Sequence, residues 1–174
     1  MVSNNETTQI TENSTNDLFQ RYDALSVDDK LALLYYIYEA MGSSITPAAP
    51  EAADPELAEP LIKGLYDLSK EDQLEAMRSV ARGEHGDISE RYGALSANNQ
   101  LLVWYGWAEA MGKQIVDMPS DYEAGGDLSN ILSDIKGMEF QSQISLLREA
   151  ATQMGFTSVT APPPLSETGI TNSL

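Results

Sequence analysis

The sequence predicts an all-α fold of two interleaved helical bundles, and three observations lead to it. The stretch RYDALSVDDKLALLYYIYEAMG (21–42) returns seventy positions later, without a gap, as RYGALSANNQLLVWYGWAEAMG (91–112). Serine-led starts and glycine stops bracket the apolar runs, the punctuation of helices. Alternating apolar and polar residues, the mark of strands, are scarce.

Taken in order, residues 1–16 are rich in Asn, Thr, Ser and Glu and hold too little apolar surface to fold alone, so they are expected to form a flexible arm. A helical domain is expected over 17–158. Ser26 stands three residues before Asp29, an N-cap pattern opening a helix whose core, LALLYYIYEAM, carries one charge, Glu39. Apolar residues on every side of that run predict a central helix, with Gly42 as the residue that ends it. Pro47, Pro50, Pro55 and Pro60 then interrupt the chain, and the acidic run PEAADPELAEP reads as a solvated connection into a helix. Ser69 with Asp72 opens the next helix, which Gly83 closes. Ser96 with Asn99 opens the second copy of the central helix, closed by Gly112, and Gly155 follows the last helical run. The tail, 159–174, begins its course with three consecutive prolines and reads as a stiff linker remnant.

The repeat is more than one segment. Between 21–45 and 91–115, twelve of 25 positions are identical, and LEAMRSVA (74–81) matches ISLLREAA (144–151) at the same offset, pairing Arg78 with Arg148. IKG at 62–64 and 135–137 matches with a small indel. Each half therefore holds about four helical elements, and the halves should be related by a pseudo-two-fold.

Composition excludes several functions. Across 174 residues, 27 acids against 10 bases give a formal charge of −17. Such a charge repels nucleic-acid phosphates and anionic lipid surfaces. The run of about 18 apolar residues that a membrane span needs does not occur. The first residues lack a signal peptide's basic start and apolar middle, so a cytoplasmic protein is expected. Cysteine is absent and His85, in the turn-like GEHGD, is the only histidine, so neither a thiolate metal site nor a histidine triad is available. The isolated GG at 125–126 is no phosphate loop. Enzyme activity is not expected.

The repeated helix carries the functional signal. Leu31, Leu34, Tyr35 and Tyr38 share a stripe at helical spacing, with Leu101, Trp104, Tyr105 and Ala108 as their counterparts. Such a stripe ordinarily fills a core. Yet buried Tyr and Trp need partners for their polar tips, and Met41, Met77, Met111, Met118, Met138 and Met154 add adaptable side chains around the same helices. Flat rings and thioethers also suit a slot for a long, flat, apolar ligand. On the residues alone, both readings stand.

The segments LSVDDKLALLYYIYEAMGSSITPAAP, LSANNQLLVWYGWAEAMG and ISLLREAATQMGF resemble the helical carotenoid proteins of cyanobacteria, single-domain relatives of the amino-terminal domain of the orange carotenoid protein. The similarity runs from about residue 18 to residue 157. It implies two interleaved four-helix bundles with a ketocarotenoid, of the canthaxanthin or echinenone type, held non-covalently in the tunnel between them. It implies that Tyr38 and Trp104 flank a terminal ring, and that Leu31, Leu34, Tyr35, Met77, Leu101, Tyr105, Met111, Met118 and Ile144 lie along the tunnel. Arg148 matches an arginine that contacts partners in two-domain relatives and is expected to face solvent here. Arg78 puts a charge beside Met77, where relatives carry a small neutral residue.

The function this implies is photoprotection. The bound carotenoid would quench singlet oxygen and also excited pigment of the phycobilisome, which would associate the protein with the thylakoid-facing antenna. A second expectation is a carrier exchanging carotenoid with a separate homologue of the carboxy-terminal domain. A third, of another class, is a pigment-free helical interaction module.

Overall fold

The computed structural model describes residues 4–45, 53–125 and 127–157, and among them there are eight helices and no strand. In chain order these are α1 (Asn4–Asp23), α2 (Val27–Ile45), α3 (Pro55–Gly64), α4 (Lys70–Arg82), α5 (Asp87–Gly93), α6 (Ala97–Ala110), α7 (Leu128–Lys136) and α8 (Phe140–Thr152).

The serine caps form as the spacing predicts. The Oγ atoms of Ser26, Ser69 and Ser96 accept from the backbone N–H groups of Asp29, Asp72 and Asn99 at 3.2, 3.1 and 3.3 Å. Gly83, Gly112 and Gly155 take the left-handed conformation that suits a residue without Cβ.

Three local expectations are corrected. The helix that ends at Asp23 reaches back to Asn4, through most of the segment expected to be a flexible arm. Once Leu18 and Tyr22 are buried and hold the last turns, each further helical residue adds a hydrogen bond without a new nucleus. Gly42 does not end α2, which continues to Ile45. A Cβ at 42 would lie 3.1 Å from the Tyr38 ring, so the glycine serves the packing of that ring. Pro60 does not break the chain but lies inside α3, which starts with Pro55 in its first turn and is anchored by buried Ala58 and Leu61. The Pro-rich tail, Pro47, Pro50 and the run from 46 to 52 lie outside the described residues.

The duplication organises the packing. Helices α1–α4 correspond to α5–α8, but the halves do not form separate bundles. One bundle joins α1 and α2 to α7 and α8; the other joins α3 and α4 to α5 and α6. The central helices α2 and α6 meet across the interface, and each also packs on the fourth helix of its own half.

Polar side chains pin this exchange in matched pairs. The Asp29 carboxylate accepts the Gly125 N–H (3.2 Å), ahead of α7, while its counterpart Asn99 accepts the Asp54 N–H (2.7 Å), ahead of α3. Gln73 donates to the Leu65 carbonyl at 2.9 Å, and Gln143 to the Ile135 carbonyl at 2.8 Å. All four side chains are buried, so these bonds satisfy backbone groups that water cannot reach. Leu33 and Val103, also seventy apart, are fully buried at the centre.

Candidate functional site

The interface between the bundles is not fully packed. A cavity of about 240 Å³ opens between α2, α4 and α6, and a smaller one of about 40 Å³ lies further along α2 and α6 toward α8. Leu34 and Trp104 line both, so the two spaces adjoin across this pair of side chains.

The larger cavity is walled by Leu31, Leu34 and Tyr35 of α2, by Leu74 and Met77 of α4, and by Trp104 and Trp107 of α6. Its remaining wall is the loop after α6, which contributes Met111, Val116, Met118, Pro119 and Tyr122. Two buried residues hold that loop in place. Gln73 Oε1 accepts from Val116 N–H (2.8 Å) while its Nε2 donates to the Gln114 carbonyl (2.9 Å). Asp29 Oδ1 accepts from the Tyr122 hydroxyl at 2.7 Å. Burial, reinforced by that carboxylate, pushes the Tyr122 phenol up, so it remains a donor.

The smaller cavity is a slot between rings. Tyr38, Trp104, Tyr105 and Leu101 line it together with Gly42 and Leu147. Tyr38 and Tyr105 meet edge to face at 5.3 Å between centroids. Trp104 stands perpendicular to Trp107 at 5.0 Å.

Trp104 is fixed from behind. Its indole N–H donates to the Tyr92 hydroxyl (2.9 Å), which in turn donates to the Ala151 carbonyl (2.6 Å). Tyr92 is fully buried, and burial pushes its phenol up. The chain satisfies the polar tip of this tryptophan on the side away from the cavities and leaves its rings to face them. Tyr35, beside the larger cavity, meets the Glu39 carboxylate, which with partial burial pushes its phenol up to about 12.

Ten of the eleven expected tunnel residues border these two spaces, and Ile144 does not. It is buried in the core of α8, 5% exposed, one turn before Leu147, which does reach the slot. Arg148 departs from its expected solvent-facing position. It is half-buried, with Nε out of water and without a hydrogen-bond partner. Met111 and Met118 of the loop wall were expected, but Val116, Pro119 and Tyr122 beside them, Trp107, Leu74 and the ion pair of Asp28 with Arg78 were not foreseen. Trp107 follows Trp104 by one turn and Leu74 is the counterpart of Ile144, so both carried a signal; Val116, Pro119 and Tyr122 carried none.

The lining fits a long apolar ligand with flat ends. Thioethers and leucines follow the body of the larger cavity, and a narrow slot between aromatic side chains closes the far end. Among the described residues, no group of His, Cys, Asp and Glu is placed to hold a metal ion, and no helix is long and apolar enough to cross a membrane.

Residues 8–157 match the family described as orange carotenoid protein, N-terminal. The chain belongs to this family. An orange carotenoid-binding domain-containing protein of Nostoc sp. strain PCC 7120 is 43% identical over 135 residues, 77% of this chain and 79% of that protein. The orange carotenoid-binding protein of Synechocystis sp. is 34% identical over 139 residues, 79% of this chain but 44% of its own length, so the chain spans less than half of that relative. Among solved structures, the Red Carotenoid Protein of Anabaena (Nostoc) sp. PCC 7120 binding canthaxanthin superposes with a TM-score of 0.74 at 33% identity, over 82% of this chain and 99% of that one. The Orange Carotenoid Protein of the same organism binding canthaxanthin gives 0.73 at 28% identity, over 88% of this chain and 53% of the other. These relatives bear out the all-α, interleaved fold and place the chain in a carotenoid-binding family, which is not a family of enzymes.

Proposed function

We propose that this chain binds a carotenoid non-covalently in the tunnel between its two bundles and protects against photo-oxidation by quenching singlet oxygen. The observation that carries the reading is the pair of adjoining cavities on α2 and α6, joined at Leu34 and Trp104 and lined by rings and thioethers. The family and the canthaxanthin held by its structural neighbours support a ketocarotenoid of the canthaxanthin or echinenone type.

In this reading Tyr38 and Trp104 hold one end ring, with Leu101 and Tyr105 beside them, while Leu31, Leu34, Tyr35, Met77, Met111 and Met118 follow the polyene. The carotenoid supplies the chemistry, physical dissipation of excitation energy along its conjugated chain. The protein supplies a dry, oriented seat. Desolvation of a long apolar ligand drives binding, and the Tyr92 hydroxyl keeps the Trp104 indole turned toward it. Entry requires the Leu34–Trp104 constriction to part, since neither space reaches the roughly 300–1,000 Å³ of an ordinary ligand site.

Quenching of phycobilisome excitation through the Arg148 face, and exchange of pigment with a carboxy-terminal-domain homologue, are further roles within the same reading. A pigment-free interaction module is the poorer account, because such a module has no use for a lined channel between its bundles.

The test is the visible absorption spectrum of protein purified by gel filtration from a ketocarotenoid-producing host. A red-shifted carotenoid band should co-elute with the protein, and Tyr38→Ala or Trp104→Ala should bleach or shift it while helical circular dichroism persists. A folded, colourless wild-type protein would sink the proposal.

A further inference from the structure

We propose that the Asp28–Arg78 ion pair is the specificity and orientation element of the larger cavity, presenting hydrogen-bond donors to an oxygen on the ligand's end ring. The proposal rests on the carotenoid-binding reading and assigns the end of the tunnel opposite the aromatic slot.

Arg78 projects from the middle of α4 and Asp28 from the first turn of α2, and both line the larger cavity among otherwise mainly apolar walls. The pairing is two-pronged: Nε donates to Oδ1 at 2.8 Å and Nη2 to Oδ2 at 3.1 Å. It bridges the two helices across the cavity's rim, with the arginine side chain 29% exposed and the aspartate 46%.

A guanidinium carries five N–H donors, and this pairing engages two of them. Nη1 stands 3.6 Å from Glu75 Oε2, beyond hydrogen-bond distance, so that contact is an ion pair alone. The carboxylate fixes the plane of the fork, and the fork remains able to donate to a ketone or hydroxyl that arrives at the cavity. A donor that is charged and already oriented makes a stronger bond than a neutral one.

The rest of the tunnel has no equivalent. The slot at the other end is lined by no charged side chain. The duplication does not supply one either, since Arg148, the counterpart of Arg78, lines neither cavity. A ligand oxygenated at one end only would therefore lie with that end at Arg78 and its hydrocarbon ring between Tyr38 and Trp104. The pair is a specificity determinant built from two helices of the same half.

The experiment loads the full chain with an equimolar mixture of canthaxanthin (two ketones), echinenone (one) and β-carotene (none), then extracts and quantifies what is retained. Wild type should enrich the oxygenated carotenoids over β-carotene by about tenfold to a hundredfold, the range for a hydrogen bond to a charged group. Arg78→Met keeps the apolar stem and removes every donor, so enrichment should fall by about tenfold while β-carotene is still bound. Arg78→Lys keeps the charge without the fork and should fall in between; it also serves if the Met variant does not fold. Unchanged enrichment in both variants, or none in wild type, would overturn the assignment and leave carotenoid binding intact. A wild-type protein that takes up none of the three would overturn the carotenoid reading itself.

Discussion

Tyr22 and Tyr92 occupy equivalent places in the two halves, seventy residues apart, and both are buried. Their hydroxyls fare differently. Tyr92 accepts from the Trp104 indole and donates to the Ala151 carbonyl, whereas the Tyr22 hydroxyl is buried without a hydrogen-bond partner, because its half carries Leu34 where the other carries Trp104. The same Tyr→Phe substitution should therefore have opposite effects. At 92 it strands the Trp104 N–H, while the Ala151 carbonyl still accepts from Met154 at 3.3 Å. One stranded buried donor costs about 1–3 kcal/mol, and the central expectation for Tyr92→Phe is about 2 kcal/mol of lost stability. At 22 it removes a group whose desolvation is uncompensated, so Tyr22→Phe should be neutral or stabilising by about 1 kcal/mol. Urea unfolding followed by circular dichroism separates them. With a slope of about 2 kcal/mol per molar, the two variants should part by about 1–1.5 M in midpoint. Trp104 also reports directly, through a change in tryptophan fluorescence confined to Tyr92→Phe. Equal destabilisation by the two substitutions would refute the reasoning, since it would mean that the ring, not the hydroxyl network, sets the energetics at both sites.

Two further outcomes follow from the polar contacts. Arg21 ties α1 to α7 through Asp127 (2.6 Å) and Asp134 (2.8 Å), and with Asn130 it holds the Asp127 carboxyl below the usual aspartate range. A depressed folded-state value means the contribution is complete above the ordinary value of about 4 and is lost as pH falls through the lower, folded one. Melting temperature against pH should thus drop more steeply on the acid side in wild type than in Arg21→Ala. Asp29→Ala should cost about 2 kcal/mol by stranding the Gly125 N–H and the Tyr122 hydroxyl, and limited proteolysis should then cut in the loop after α6. Asp29→Asn, which keeps an acceptor, should leave the loop protected.

Much of the fold was legible because its signals are local. Ser26, Ser69 and Ser96 announce helix starts by a three-residue spacing that the backbone itself dictates, and Gly83, Gly112 and Gly155 mark ends where φ turns positive. Gly42 misled for the same reason: a glycine after an apolar run also suits a helix that passes close to an aromatic ring, here Tyr38. The repeat foretold two related halves but could not say which helices would be exchanged. That depends on contacts such as Gly106 against Ile62, where a Cβ would sit 2.7 Å from the isoleucine. The candidate site divides likewise. Residues on α2 and α6 were legible because one helical stripe carries them. Met111 and Met118 were named through the resemblance, but Val116 and Tyr122 beside them were not legible, because Gln73 and Asp29, remote in sequence, hold that loop in place. Arg78 was visible as an odd charge, but its partner Asp28 is fifty residues away.

The two halves have diverged unevenly, and the pattern bears on how a ligand would sit. Positions that brace the scaffold retain their roles across the duplication: Asp29 and Asn99 both accept a backbone N–H from the loop of the opposite half, and Gln73 and Gln143 both anchor a carbonyl at the end of a helix. Among positions that face the cavities, Leu31 with Leu101 and Tyr35 with Tyr105 are kept, but three others are not. Leu34 stands opposite Trp104 in the repeat, Tyr38 opposite Ala108, and Met77 opposite Leu147. A strictly two-fold tunnel would accept an elongated ligand in either direction with equal energy. Here one end closes on Tyr38, Tyr105 and Trp104, and the other on a guanidinium–carboxylate pair. The symmetric contacts hold the bundles in register, and the asymmetric ones give the space between them a direction.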